Sequence, residues 1–568
     1  MIGRYRGLLR SGELLLGALG CCLVAAPPSS AGFGHNYKNG QVTFETEHFA
    51  DSSSCARCHD NIVDDEGVDI SFVKKWDTTM MRFSFFDPFW RAKVQSELLR
   101  FPEYSHIIEE KCIRCHAPMA SEQIITDGSS FHLFGDGGLT DPENEYYPMA
   151  MDGISCTLCH QILEGVGDSG DYSISEARVA FGPFEPDYSV MMDMAGGFYP
   201  TYSEHTSSSQ FCSVCHDLYT PYVLENGDIA TGTFPEQTPY LEWTASSYAV
   251  EGESFQQCRD CHMDRSNTAR LSGLPAKVTA RENVYAHTFL TENTMMLEMI
   301  ASIAEDQGLE FSGLEQAVLD GKDYLAEAGD IEIRNLQWIA YDPNNKVDDL
   351  QVEVMVTNKT GHKMPTGIPV RRVFIHFAVY DDLGDLYFSS GDVLDDGSIY
   401  GVDADMDPAA FEEHHEVIDS EDDVQVYEGI MGRWETGKDN EPVSNVTYTL
   451  LRSSHFKKDN RLLPKGASTT TVPKLIKPYG KVVSDDNFGN GQDTVIFVVP
   501  DLGKIESASF RIEAELKDQT LSYRMVHDLE DLVKEDQTGV IQTFFEEYEH
   551  HKVQYELIDR DEVYLIND

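Results

Sequence analysis

The chain has 568 residues, enough for two or three domains, and its 41% hydrophobic content is enough for a packed core. Its charge is extreme: 97 acidic against 43 basic residues leave a formal net charge of −54. That balance excludes nucleic acid and anionic membrane surfaces as partners. It leaves either steering toward a basic partner or plain solubility. The acids are spread along the whole chain, which favours a solvated surface.

Residues 1–31 read as an export signal. Arg4, Arg6 and Arg10 form a basic start, Leu14 to Ala26 an apolar core too short for a membrane anchor, and Ala26 or Ala31 offers a cleavage point. Ala18-Leu19-Gly20-Cys21 resembles a lipoprotein box with an imperfect first residue, so a lipid anchor on Cys21 stays open. No later stretch is long and apolar enough to span a membrane.

From Cys55 to His262 the pattern Cys-x-x-Cys-His occurs five times. The units are Cys55, Cys58, His59; Cys112, Cys115, His116; Cys156, Cys159, His160; Cys212, Cys215, His216; and Cys258, Cys261, His262. This is the attachment signature of c-type haem: two thiols add to the vinyl groups and the adjacent His becomes an axial ligand to iron. Zinc sites also use Cys-x-x-Cys pairs, but a His directly after each pair is not their habit. Ten of the twelve cysteines lie in the five units and the other two, Cys21 and Cys22, in the signal, so none is left for a disulfide or a thiolate catalyst. The sequence implies five covalent haems, whose attachment in bacteria takes place outside the cytoplasmic membrane.

Residues 32–305 hold all five units, about fifty residues for each. So little protein predicts a mostly α and irregular domain in which the haems supply much of the buried apolar surface and stack closely. Phe85 to Phe101 reads as a helix that begins near Asp87-Pro88, its aromatic residues packing on haem. Glu282 to Ala304 reads as a helix with a Met295, Met296, Met299 stripe, core or porphyrin packing. A carrier fills the sixth iron position with His or Met, and a catalyst leaves one open. The distal candidates are His132, His205, His287, His362 and His48, with His35 and His106 weaker and Met80 or Met81 as an alternative.

A helical connector covers 306–329, with Leu314, Val318 and Leu325 on one face. Then the period becomes two, at Ile331/Ile333, Leu350–Val356, Val373–Val379, Val446/Tyr448/Leu450, Val495–Val499 and Phe510–Leu516. Residues 330–568 are therefore expected to form an all-β, sandwich-like domain. Between two of these strands lies Thr360-Gly361-His362-Lys363-Met364-Pro365-Thr366-Gly367, followed by Arg371-Arg372. It is either a loop presenting His362 to an edge haem, with the arginines on propionates, or a tight connection with an exposed His. Asp403, Asp405 and Asp407 alternate as in a calcium loop but lack its Gly and closing Glu, so a solvated acidic loop is the better reading. Glu546 to His551 reads as an exposed helix end rather than a metal patch.

These stretches resemble the exported multihaem c-type cytochromes of bacterial electron-transfer chains. The likeness rests on AMDGISCTLCHQI, FCSVCHDLYTP, QCRDCHM, HTFLTENTMMLEM, TGHKMPTGIPVRR and VQVYEGIMG with KDNRLLPKG, and covers most of the mature chain. It implies a haem domain joined to a β-domain, closely stacked, largely bis-His haems, and His287 and His362 as axial ligands. The expected function is electron carriage between redox protein donors and acceptors, in the periplasm or at the outer membrane and beyond. Two alternatives stand beside it. One is a subunit that self-assembles into an extracellular filament. The other is a multihaem reductase with one open site, although pentahaem nitrite reductases typically carry Lys in place of one motif His and all five units here end in His.

Overall fold

The computed structural model describes residues 37–566, apart from 39–40, 188, 275–277, 310 and 341–347. The export signal, Cys21, Cys22 and His35 lie outside the described residues. Among the described residues no helix is long and apolar enough to cross a membrane.

The first half is built from short helices and two-stranded ribbons. Pro88–Arg100 is a helix for the reasons the sequence gives: the Asp87 side chain accepts from the Trp90 N–H, Pro88 opens the first turn, and Phe101 ends it. The first half carries more β-structure than expected, because Val179–Gly182, Leu218–Val223 and Arg265–Arg270 each pair with a second strand. The last of these corrects the reading of Glu282 to Ala304 as one helix. Ala280–Tyr285 is a strand paired with Arg265–Arg270, and the helix starts only at Thr294 and runs to Asp306. A polar strand beside a polar partner leaves no apolar period to read.

The connector helix Leu314–Leu325 forms as expected, with Leu314, Val318 and Leu325 buried. Beyond it two sheets face each other. One has four strands in the order Val417–Ile418, Gln492–Val499, Asp349–Asn358, Gly329–Ile339. The other runs Pro442–Val446, Val426–Thr436, Arg372–Tyr380, Ser509–Gln519, Glu556–Ile566, with Leu386–Ser390 on Arg372–Tyr380 and His455–Asp459 on Val426–Thr436. Val352, Val354, Val495 and Phe497 of the first share one core with Val373, Ile375, Phe377, Ile512 and Ala514 of the second. Phe377 and Phe497 stack across the interface with ring centres 4.1 Å apart. The alternation expected at Val446, Tyr448 and Leu450 stops at Val446, because Leu450–Arg452 is a single 3-10 turn. The Glu97 carboxylate takes the N–H of Leu450 (2.7 Å), and Lys93 donates to the Tyr448 carbonyl (2.7 Å). Backbone groups that would have joined a ladder are thus spent on the helix Pro88–Arg100.

A third apolar cluster joins the halves. Phe89 and Ala92, with the Met295, Met296 and Met299 stripe, pack on Met525, Val526, Leu529, Ile541, Phe544 and Tyr548. The latter belong to the helices Tyr523–Glu530 and Val540–His551. The methionine stripe is therefore core. In the helix end Glu546 to His551, Glu547 and Tyr548 are buried, while His550 is exposed and His551 Nδ1 lies 3.5 Å from Glu298.

Candidate functional site

Each Cys-x-x-Cys-His unit lies on a short helix or at its end, and four helices finish on the unit's His: Ser52–His59, Ser105–His116, Ser209–His216 and Cys258–His262. Positions i, i+3 and i+4 share a helix face, so both sulfurs and the imidazole point one way. The caps hold that geometry: the Asp51 and Ser208 side chains accept N–H groups of their first turns, and Gln257 and Asp260 form a reciprocal capping box.

The motif imidazoles are oriented from behind. Nδ1 donates to a backbone carbonyl in four of them: His59 to Leu271 (2.8 Å), His116 to Ser84 (2.8 Å), His160 to Phe181 (2.6 Å) and His262 to Leu290 (2.8 Å). This fixes the tautomer and leaves the Nε2 lone pair free, the arrangement a metal-ligating His requires. Burial pushes the pKa of His116 and of His216 down to about 4, so both rings are neutral at pH 7. Trp90 stacks on His116 with ring centres 4.5 Å apart and planes within 11°.

Four of the five units line one mainly apolar cavity of about 1400 Å³, larger than the roughly 300–1,000 Å³ of an ordinary small-molecule site. The units come together through their sulfurs. Cys55 is a hydrogen-bond neighbour of Cys156, Cys115 of Cys215, and Cys212 of Cys258. The second unit, outside the lining, thus abuts the fourth. None of the ten described cysteines forms a disulfide. Burial raises Cys159 to about 12 and Cys261 to about 11, which keeps these free thiols neutral.

Six imidazoles line the cavity: His59, His160, His216, His262, His287 and His362. Two of them face a motif His. His287 lies opposite His160 and His362 opposite His262, each pair with centroids 6.2 Å apart and planes within 27° and 24°. That is too wide for ring contact. Two metal–nitrogen bonds of about 2 Å, each extended by roughly 1.1 Å to a ring centre, set collinear imidazoles about 6 Å apart. The donor set and spacing therefore fit iron held between two imidazoles. Arg259 and Arg281 also line the cavity, and each has a buried Nε without a hydrogen-bond partner, which fits a carboxylate belonging to a bound group. Sequence reasoning missed both arginines: Arg259 fills a variable position inside the fifth unit, and Arg281 lies in a polar strand outside any motif.

The other distal candidates stand apart from the motif imidazoles. His132 is exposed on a loop, with Nε2 3.2 Å from the Asp136 carbonyl. Both ring nitrogens of His205 are engaged, by Ser203 Oγ (2.6 Å) and the Ile162 carbonyl (2.9 Å). His48 has a buried Nδ1 without a partner, and its carbonyl accepts from Gln161 beside the third unit. His106 is exposed, and Met80 and Met81 line the cavity.

The arginine pair divides. Arg371 lines the cavity, with Nε 3.1 Å from Glu292. Arg372 points the other way and makes a buried two-point ion pair with Asp405 (2.8 and 2.7 Å), so it is not available to a bound group. The same pair removes Asp405 from any calcium loop and from solvent. Outside the cavity, His414, Asp485 and Asp493 bring their ligand atoms together, all buried. Gln425 and Asn460 donate to His414 Nδ1, and their own oxygens accept the N–H of His415 and Glu428. The His414 proton must therefore sit on Nε2, given to Asp485 at 3.0 Å, and His414 offers no lone pair to a metal.

No protein-family model matches the sequence, and no curated protein matches it. Among solved structures, a penta-heme cytochrome c552 from Thermochromatium tepidum is similar over 91% of this chain and 99% of its own, at 14% identity and a TM-score of 0.42.

Proposed function

We propose that this chain is an exported multihaem c-type cytochrome that carries electrons between redox partners. The observation behind the reading is the shared cavity, in which four Cys-x-x-Cys-His units meet and two motif imidazoles each face a second imidazole at 6.2 Å. Five units give five attachment sites. His59, His116, His160, His216 and His262 are the proximal ligands, with His287 and His362 distal to His160 and His262. When bound, c-type haem supplies one-electron ferric/ferrous chemistry. The chain does the rest. Its cysteines fix the group covalently, its carbonyls orient the imidazoles, its apolar lining excludes water, and Arg259, Arg281 and Arg371 offset carboxylate charge. The first and third units abut, as do the second and fourth and the fourth and fifth, and the cavity shared by the first, third, fourth and fifth units brings these two groups together, as a conducting array needs.

A haem count on the purified exported protein, with electron paramagnetic resonance of the oxidised sample, tests the reading. Five haems, all low-spin, are expected. Fewer covalent haems would sink the assignment of the five units. A high-spin centre that binds nitrite or hydroxylamine and turns it over would replace the carrier by the reductase.

A further inference from the structure

His362 sits in a loop that both halves of the chain hold. From within the β-structure, Asn358 donates to the His362 carbonyl (2.8 Å) and accepts from Thr360 N and Oγ1, each at 2.8 Å. Met364 bridges to Leu462 on the other side. From the first half, Tyr248 donates its hydroxyl to the Lys359 carbonyl at the loop's start (2.9 Å), and one carboxylate reaches further in. Glu242, on the helix Pro239–Thr244 that follows the fourth unit, is fully buried. Its Oε2 accepts the Lys363 N–H (3.0 Å) and the Thr366 hydroxyl (2.6 Å), and its Oε1 the Thr238 hydroxyl (3.1 Å). Lys363 in turn gives its ammonium to Asp459 (2.6 Å), which Arg461 holds from two sides (2.9 and 2.8 Å). All four charged side chains are buried and their formal charges sum to zero, so the cluster is self-contained and asks for nothing from solvent.

We infer that Glu242 is the positioning residue that holds His362 opposite His262. The inference rests on the reading of His362 as the axial ligand. Its logic is geometric. The Glu242 carboxylate grips the loop at residues 363 and 366, on one side of the imidazole, while Asn358 grips it at 360 and 362. With Glu242 gone, the loop keeps its anchors in the sheet and the Tyr248 bond at Lys359, but loses its tie at residues 363 and 366 to the segment that carries the fourth unit. The 6.2 Å separation then loses the hydrogen bonds that the first half makes to the residues just after the imidazole.

The test compares His362→Ala, Glu242→Ala, Glu242→Gln and Thr366→Val as purified holoproteins, each with its haem count and circular dichroism recorded. The readout is the spin state of oxidised iron. His362→Ala should turn one centre high-spin, and added imidazole should return it to low-spin. Glu242→Ala should turn the same centre wholly or partly high-spin, with the same response to imidazole. Glu242→Gln, which keeps an acceptor oxygen, should restore most of the low-spin signal, and Thr366→Val should fall between. A Glu242→Ala spectrum identical to wild type, beside a high-spin His362→Ala, overturns the positioning role alone. A His362→Ala protein that stays fully low-spin overturns the axial reading itself. Should Glu242→Ala not fold, a Thr366→Val spectrum identical to wild type overturns the role.

Discussion

Arg259 and Arg281 line the cavity with buried Nε atoms that meet no acceptor. Arg281 spends Nη2 on the Glu185 carbonyl and Asp187, and Arg259 lies over the Tyr285 ring at 4.7 Å, but in both the inner nitrogen is left over. A buried donor without a partner costs about 1–3 kcal/mol, a cost that an acceptor supplied with a bound group would remove. Replacing Arg281 by Gln removes a positive charge beside one centre and should lower its midpoint potential by on the order of 50 mV, the one-electron equivalent of about 1 kcal/mol. Spectroelectrochemical titration checks this, and unchanged potentials would remove Arg281 from the site. His376 gives a second residue-scale outcome, far from the cavity. Burial opposes its protonation, but Asp392 (3.1 Å) and Glu515 (3.2 Å) on either side raise its pKa above 6.5. Glu515 is held down at about 2, chiefly by that hydrogen bond. The His contribution is complete below about 6.5 and fades as pH rises through the raised value; that of Glu515 is complete above about 4.5 and fades as pH falls toward 2. The pair therefore works best between those limits. His376→Gln should cost about 0.5–1 kcal/mol more at pH 5.5 than at pH 9, read by denaturant unfolding at both.

The helix Pro88–Arg100 shows how an element becomes a joint. Its start was legible, since Asp-Pro before an apolar run is a local signal. Its tertiary duties were not. Trp90 stacks on His116, Glu97 caps the turn at Leu450, Arg100 pairs with Asp528 at 2.5 Å, and Phe89 meets Phe544 with ring centres 5.6 Å apart. Apart from His116 those partners lie hundreds of residues away, and no period or spacing announces them. The same limit explains the other misreadings. The strand Ala280–Tyr285 is polar and shows no alternation, and nothing local separates Arg372, which Asp405 claims, from Arg371, which lines the cavity. What could be read was local chemistry: the five motif units, the Asp87 cap, the alternating strands and the His362 loop. Because Phe544 anchors the C-terminal helix on this joint, Phe544→Ala should destabilise the protein by about 3–5 kcal/mol. Limited proteolysis should then cut first within residues 523–551, and a variant as resistant as wild type would show that the helix is held elsewhere.

Across the whole molecule, charge is partitioned. The chain carries 97 acidic and 43 basic residues, yet the cavity lining holds seven Lys or Arg against six Asp or Glu. Positive charge is concentrated where a bound group would bring carboxylates, and the excess of negative charge lies elsewhere. Two effects of that excess share one control, ionic strength. Unscreened acids repel each other across the surface and oppose the compact state, while they also attract cations to it. The Debye length falls from about 30 Å at 0.01 M salt to about 10 Å at 0.1 M, so both effects should weaken over that interval. The unfolding temperature should therefore rise with added sodium chloride. The rate of electron exchange with a small cationic complex should fall about tenfold over the same range, while that with an anionic reductant rises. Stopped-flow measurement with one reagent of each sign separates the cases. Opposite slopes identify the surface as a guide for a basic partner. Flat profiles for both, with the temperature still rising, would mean that the charge is distributed too evenly to steer anything and serves solubility alone.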